Sequence, residues 1–367
     1  MARKLKSDRV LFFTTIGLVA TSVVMVYSAS NVVALDQYGR PSWFLVKQCV
    51  FACLGLAAMA LAMHVNYRVY NLPAVLKPLL VVTLLALVGV LFLGPRINNT
   101  HRWYVVAGIS LQPSELAKLA TAIFAAFMLE RRMDRIDSIR QTLLPIGIPL
   151  IIVIALITSQ PDFGSALAVL AIVGVMMFAA GLSYRYLAGI VLCTIPLVTA
   201  LVLYEPYRLR RWTAFWNPEL DPRGDSFQVM QSLIAVGTGG VTGRGLSEGV
   251  QKLWYLPYAH TDFIYAVIAE ELGLIGATVV LLCFCVIAWR GLRIASHAPD
   301  AFASLLALGL TVMVALQAFV NISVVLGLVP TKGIPLPFVS AGGSSLVASL
   351  FGMGMLLNIS QHASAEG

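Results

Sequence analysis

Asp262 stands where a polar segment, His260-Thr261-Asp262, gives way to an apolar run that continues to Arg290. A lone carboxylate in that setting can take a proton from an attacking hydroxyl, or cap the following helix together with Thr261. Residue types alone leave both roles open. Cations recur at comparable points of the chain: Arg208, Arg210 and Arg211 follow an apolar run, with Tyr207 and Trp212 beside them, Lys332 lies between Pro330 and Pro335, and Arg102 precedes another apolar run. Arg208 and Arg211, three apart, share a helical face. Such groups either snorkel to lipid headgroups or hold phosphate. One carboxylate with several cations suits transfer from a phosphate-bearing lipid, where a base serves the acceptor and positive charge steadies the leaving group.

Other polar groups sit where apolar residues would be expected. Gln112, Pro113, Ser114, Glu115 and Lys118 open one run, with proline suited to a first helical turn. Glu115 and Lys118 can pair across one face, which lowers the cost of placing either in a membrane. That pair either locks two helices or serves the site directly. Gln160, Pro161, Asp162, Phe163 and Gly164 form a turn in which Asp162 either caps the next helix or contributes to binding. Glu270 and Glu271 are costly in lipid, so at least one faces the interior or a wet cavity, with Glu271 as a supporting group. Ser344 stands among Gly342, Gly343 and Ser345, small residues that permit close helix approach, and is a candidate for binding. Gln317 and Asn321, four apart, are placed to bond a neighbouring helix. The glycine-rich stretch 237–249 lacks a phosphate-loop pattern and reads as a flexible loop. The cysteines lie in apolar stretches without metal-ligand spacing, so no metal site is expected.

The elements that must hold these groups are membrane helices. Hydrophobic residues make up 59% and charged residues 11% of the chain, against about 25% charge in a typical soluble domain. The net charge of +8 falls mostly in short loops and argues for topology rather than a nucleic-acid partner. Crossing a bilayer takes about 20 apolar residues. On that ruler ten spans lie near 10–30, 43–63, 74–94, 112–129, 142–159, 164–181, 185–204, 263–289, 302–328 and 342–359. The fifth and sixth could instead be a re-entrant pair, and the N-terminal run is too long for a cleaved leader. The expected fold is an all-α polytopic membrane protein, one domain over 1–367, with both termini cytoplasmic.

Thirteen Lys and Arg then fall in inner segments against five in the short outer ones, in keeping with the positive-inside rule. The long segment 205–261 is external, expected to lie on the membrane surface. Counting from Arg290 at 1.5 Å per residue, about 20 residues reach the outer boundary near Glu270, and Asp262 stands beyond it. Arg102, Glu115, Asp162, Arg208, Arg211, Asp262 and Lys332 thus converge on the outer surface. Packing alone would have spread them over both.

The runs QPSE with Lys118, QPDFG at 160–164, HTDFIYAVIAEELGLIG at 260–276 and LVPTKGIPLPFVSAGGSS at 328–345 resemble the signature motifs of the SEDS family (shape, elongation, division and sporulation). The TKG before PLPFVS is closer to the division member FtsW than to the elongation member RodA. The resemblance implies a ten-helix glycosyltransferase of the cytoplasmic membrane that polymerises lipid II at its outer face, working with a class B penicillin-binding protein and other divisome or elongasome membrane proteins. It implies an essential aspartate at Asp262, a Glu and Lys pair at Glu115 and Lys118, and basic positions at Arg208 and Arg211. Assistance by Mg²⁺ or Mn²⁺ is left open. The chain departs from the family pattern at Ala341, where tyrosine is frequent, and at Thr100 and His101 before Arg102. Two other classes fit a polytopic chain: a flippase for the lipid-linked precursor, which should place polar groups near the midplane and on both sides, and a non-catalytic scaffold for the cross-linking enzyme.

Overall fold

The computed structural model describes residues 7–96, 100–106, 109–217, 224 and 226–363. Arg3, Lys4 and Lys6 of the inner-side charge count, and the Tyr207 side chain, lie outside the described residues.

Among the described residues thirteen α-helices follow in order: α1 (Arg9–Tyr38), α2 (Trp43–His64), α3 (Pro73–Leu93), α4 (Pro113–Glu130), α5 (Leu144–Ser159), α6 (Phe163–Ala179), α7 (Tyr184–Tyr204), α8 (Pro206–Trp216), α9 (Phe227–Gly239), α10 (Gln251–Trp254), α11 (Ile264–Ser296), α12 (Ala301–Val325) and α13 (Gly343–Ser360). Among the described residues, eight helical segments are long and apolar enough to cross a membrane: α1, α2, α3, α5 with the π-turn that leads into it, α7, α11, α12 and α13. The shorter apolar α6, and α4 with its buried Glu115 and Lys118, complete the ten expected crossings. A two-stranded hairpin, β1 (Tyr104–Val106) with β2 (Ile109–Leu111), precedes α4.

Buried faces of α4, α12 and α13 form the centre of the bundle, and α2 lies along α13. The α5–α6 pair is a full crossing rather than a re-entrant one. The turn between them is at Gln160–Asp162, while at the opposite end Ser183 N–H donates to Asp137 Oδ1 at 2.9 Å, so both helices run the same depth.

Both chain ends meet on one side. Asp8 caps α1, its backbone N–H reaches Ser360 Oγ at 3.1 Å, and its carboxylate accepts from Arg290 Nε at 2.7 Å. Asp300, Tyr67 and Arg68 join on the same side. The opposite side gathers the turns at 39–42, 160–162 and 326–342 together with the described parts of the segments 94–112 and 205–263.

Two expectations for that long segment need correction. Part of it, α8, carries exposed Trp212 and Trp216 as a surface helix would, but 227–254 folds down along α11 instead of lying on the membrane. The apolar run of α11 is also not a continuous helix: Gly273 has φ 66° and ψ −166°, a region open only to glycine. The two findings have one cause. A helix break strands N–H and C=O groups that must be paired when buried. Leu274 and Ile275 donate to the carbonyls of Gly240 and Val241, while Arg244 and Gly245 donate to the carbonyls of Glu270 and Glu271. The stretch expected to be flexible is therefore the missing half of the broken helix. A side chain at Gly243 would strike the Glu271 carbonyl, so glycine is there for close approach.

Candidate active site

Asp262 lies in the turn before α11. Phe263, not Asp262, is the N-cap residue of α11, and no side chain caps it. Capping is thus excluded as the reason for an aspartate here. Desolvation, not a helix terminus, governs its ionisation. Burial pushes its carboxyl up to about 6, only partly opposed by the positive charges of Arg211 and Arg102. A carboxylate of that affinity is ionised at neutral pH yet basic enough to accept a proton.

The carboxylate opens on a cavity of about 40 Å³ lined by Arg211, Gln228, Tyr258, Asp262, Phe263, Thr331, Lys332 and Gly333. A Cβ at Gly333 would stand 2.8 Å from Asp262 Oδ2, so a side chain there would displace the carboxylate. The volume has room for no more than a few waters, so the walls must part before a sugar can reach Asp262. Gln228 on α9 and the Tyr258 ring were not singled out from sequence; nothing local marks a glutamine in an apolar helix as part of a cavity reached only through the fold.

The cations surround this point from three segments. Arg211 donates from Nη1 to the Thr331 carbonyl at 3.2 Å, joining α8 to the loop that carries Lys332. Lys332 lies over the Phe163 ring at 5.1 Å, and Arg208 approaches the same ring at 5.4 Å. Phe163, which sequence reasoning treated as part of a turn, is a shared platform for two cations. Burial lowers the Lys332 ammonium from its usual value, and Asp162 opposes that shift. Arg102 bonds the carbonyls of Gln160 (2.8 Å) and Pro161, which fixes it to the α5–α6 turn. Arg208 also donates to the Leu201 carbonyl at 2.9 Å.

Asp162 is placed differently from a binding residue. One oxygen caps α6 through Ser165 N–H, and the other accepts from Gln112 Nε2 (3.0 Å) and Ser114 Oγ (2.9 Å). Buried and so engaged, it ties α6 to the start of α4. Gln112 also donates its backbone N–H to Ser344 Oγ at 3.1 Å, which gives Ser344 a role in holding α13 to the β2–α4 junction. Neither residue lines the cavity.

Glu115 and Lys118 are 4% and 3% exposed, which shows that both charges are removed from water. Lys118 Nζ lies 2.9 Å from Glu115 Oε1 and 2.7 Å from Gln317 Oε1, and Gln317 Nε2 donates to the Pro335 carbonyl at 3.0 Å. The pair therefore braces the loop carrying Lys332 through one intermediary. Glu271 forms a second buried group: it accepts from Ser28 Oγ at 2.7 Å, Ser247 N–H at 3.0 Å and Lys252 Nζ at 2.5 Å. Glu270 accepts from the N–H groups of Val250 and Gln251 at the start of α10. Both glutamates thus anchor the segment that runs on to Asp262.

His260 stacks on Phe44 at 4.6 Å between centroids, and burial takes its imidazole down to about 4, so it is neutral at physiological pH. At the two positions departing from the expected pattern, Ala341 contributes a backbone N–H to the His260 carbonyl, and His101 meets the Gly94 carbonyl at 2.7 Å.

A family model described as "Cell cycle protein" and named for FtsW, RodA and SpoVE matches residues 8–365. The chain belongs to the FtsW/RodA/SpoVE family. Among curated FtsW/RodA/SpoVE relatives, it is 44% identical over 355 residues to the "Probable peptidoglycan glycosyltransferase FtsW" of Trichlorobacter lovleyi, covering 96% of this chain and 93% of that protein. It is 40% identical over 362 residues to stage V sporulation protein E of Bacillus subtilis, covering 98% and 99%. Among solved structures, RodA of Thermus thermophilus superposes with a TM-score of 0.73 at 29% identity, covering 98% of both chains. A chain from a peptidoglycan synthase complex, described as coordinating polymerization and crosslinking, superposes with a TM-score of 0.79 at 31% identity, covering 96% and 97%. The FtsW/RodA/SpoVE motifs carry Asp262 and Lys332, which the fold brings to one cavity.

Proposed function

We propose that the chain is a peptidoglycan glycosyltransferase that polymerises lipid II, with Asp262 as general base. The observation that carries this reading is a single carboxylate, poised near 6, in a cavity shared with Arg211 and Lys332. Asp262 takes the proton from the 4-hydroxyl of the acceptor sugar. The freed oxygen attacks the donor anomeric carbon with inversion, and the bond to the pyrophosphate breaks with its electron pair going to the lipid pyrophosphate. Arg208, Arg211, Lys332 and Arg102 supply the positive charge that steadies this leaving group. A second carboxyl acid is unnecessary, because pyrophosphate needs no protonation to leave. That agrees with an Asp162 wholly engaged in holding helices.

The side holding Asp262 faces the periplasm or cell exterior, a placement supported by the charge asymmetry of the loops. A class B penicillin-binding protein is the cross-linking partner, supported by the likeness to the synthase complex. Among the described residues no group of three or more His, Cys, Asp or Glu could cage a metal ion. A Mg²⁺ or Mn²⁺ ion would enter on the substrate's phosphate oxygens, with Asp262 the one carboxylate at the cavity.

The test is to purify the chain with its penicillin-binding partner, supply lipid II and resolve products by gel. Glycan ladders support the polymerase. Lipid II translocation across vesicles by a preparation that makes no glycan would overturn it in favour of a flippase.

A further inference from the structure

Three consecutive carbonyls lead into α11, and each is held from α12 or the loop after it. Ala341 N–H donates to His260 O at 3.0 Å, Ser340 Oγ to Thr261 O at 2.5 Å, and Asn321 Nδ2 to Asp262 O at 2.7 Å. The same Asn321 amide sends its second proton to Ile334 O, also at 2.7 Å. Asn321 is 1% exposed, and the orientation of its amide is fixed chemically, because turning it over would set its oxygen against two carbonyls.

The two segments joined by this one side chain are the walls of the cavity. Asp262 lies on one, and Lys332 and Gly333, immediately before Ile334, lie on the other. The walls stand close here: a Cβ built on Gly333 would come within 2.8 Å of Asp262 Oδ2. Gln317, a turn earlier on α12, bonds Pro335 O in the second wall but makes no bond to the first. Both amide protons of Asn321 go to main chain, 59 residues away in one direction and 13 in the other.

We propose that Asn321 is a positioning residue for glycosyl transfer, its amide setting the separation between the Asp262 carboxylate and the Lys332 cation. This rests on the reading of Asp262 as the base. Asn321 touches no reacting atom. It acts by holding the base and the cation in register while the cavity opens elsewhere to admit substrate. Losing it lets the 332–334 segment drift from Asp262, and a displacement of about 1 Å at a reacting centre can lower turnover about 100-fold.

The experiment uses the full chain with its penicillin-binding partner in nanodiscs and two variants: Asn321→Leu, which keeps side-chain volume, and Asn321→Asp, which keeps shape but turns a carboxylate toward two carbonyls. Steady-state kinetics on lipid II are paired with carbodiimide labelling of Asp262 read by peptide mass spectrometry, which needs no turnover. The expected result is kcat lowered about 100-fold with KM within about threefold, and Asp262 labelled several-fold faster. If whichever variant purifies as a folded protein shows wild-type kcat per folded molecule and wild-type labelling, the proposal is overturned. A purely structural role would lower the yield of folded protein and leave both readouts per folded molecule unmoved. Should Asp262→Asn polymerise like the parent, the base assignment falls instead, and the labelling comparison still decides whether Asn321 joins the two walls.

Discussion

The burial of Asp262 makes the acid side of the pH profile the most informative perturbation. With the carboxyl pushed up to about 6, the ionised fraction is about 0.9 at pH 7, 0.5 at pH 6 and 0.1 at pH 5. A raised carboxyl is lost as a base when pH falls through its shifted value, so kcat/KM should halve at pH 6 and fall about tenfold by pH 5. Arg211 lowers this value by stabilising the charged form. Removing that charge with Arg211→Gln therefore raises it further, and the limb moves toward neutral pH. The variant should therefore keep a smaller share of its plateau activity at pH 6 than the parent does. His260, taken down to about 4, titrates too low to produce this limb. The assay is initial-rate lipid II polymerisation in a constant-ionic-strength buffer series, reading the position of the limb and not its amplitude, since Arg211 also serves binding. A profile flat from pH 7.5 to 5, or a limb that moves down in Arg211→Gln, would refute the reasoning.

On the alkaline side, Lys332 should lose its proton below the usual lysine range, and Lys332→Arg should move that limb upward in the same buffer series. Lys332→Ala should raise KM for lipid II about tenfold or more, the loss of a charge-assisted contact worth about 1.5–3 kcal/mol. Lys252→Met leaves the Glu271 carboxylate buried without its cation, which should cost about 3–5 kcal/mol of stability; thermal unfolding in detergent should show the drop, and adding Glu271→Gln should recover most of it. Gly273→Ala forces an L-residue into a glycine-only conformation against the main chain of Gly243, which should destabilise by about 2 kcal/mol or more, read as faster proteolysis between residues 239 and 254.

Much of this arrangement was legible in the residues. Apolar run lengths located the crossings, and the count from Arg290 set Asp262 at the opposite end of α11. The loop charges then put the cations and this carboxylate on one side, where the fold gathers them. What could not be read depends on which main chain approaches which. Glycines 240–245 permit mobility and close packing equally, and only the break at Gly273 requires the second. That break was hidden because the apolar character of α11 continues across it. Asp162 had the right type and the right side for binding, yet its oxygens are taken up by Gln112, Ser114 and Ser165. Asn321 looked like a packing residue because its two carbonyl partners lie far off in sequence. The rise in the Asp262 carboxyl follows from desolvation in a cavity closed by Phe263 and Gly333, which no local pattern encodes.

The central claim is that Asp262 removes the acceptor's proton. Asp262→Asn keeps the side-chain shape and leaves the backbone carbonyl that Asn321 holds, so the fold should survive. Loss of a general base lowers the rate about 10²- to 10⁴-fold. Purified with its penicillin-binding partner and given lipid II, the variant should bind substrate with near-parental KM and form no visible glycan ladder. Ladders of parental intensity from Asp262→Asn would contradict the account.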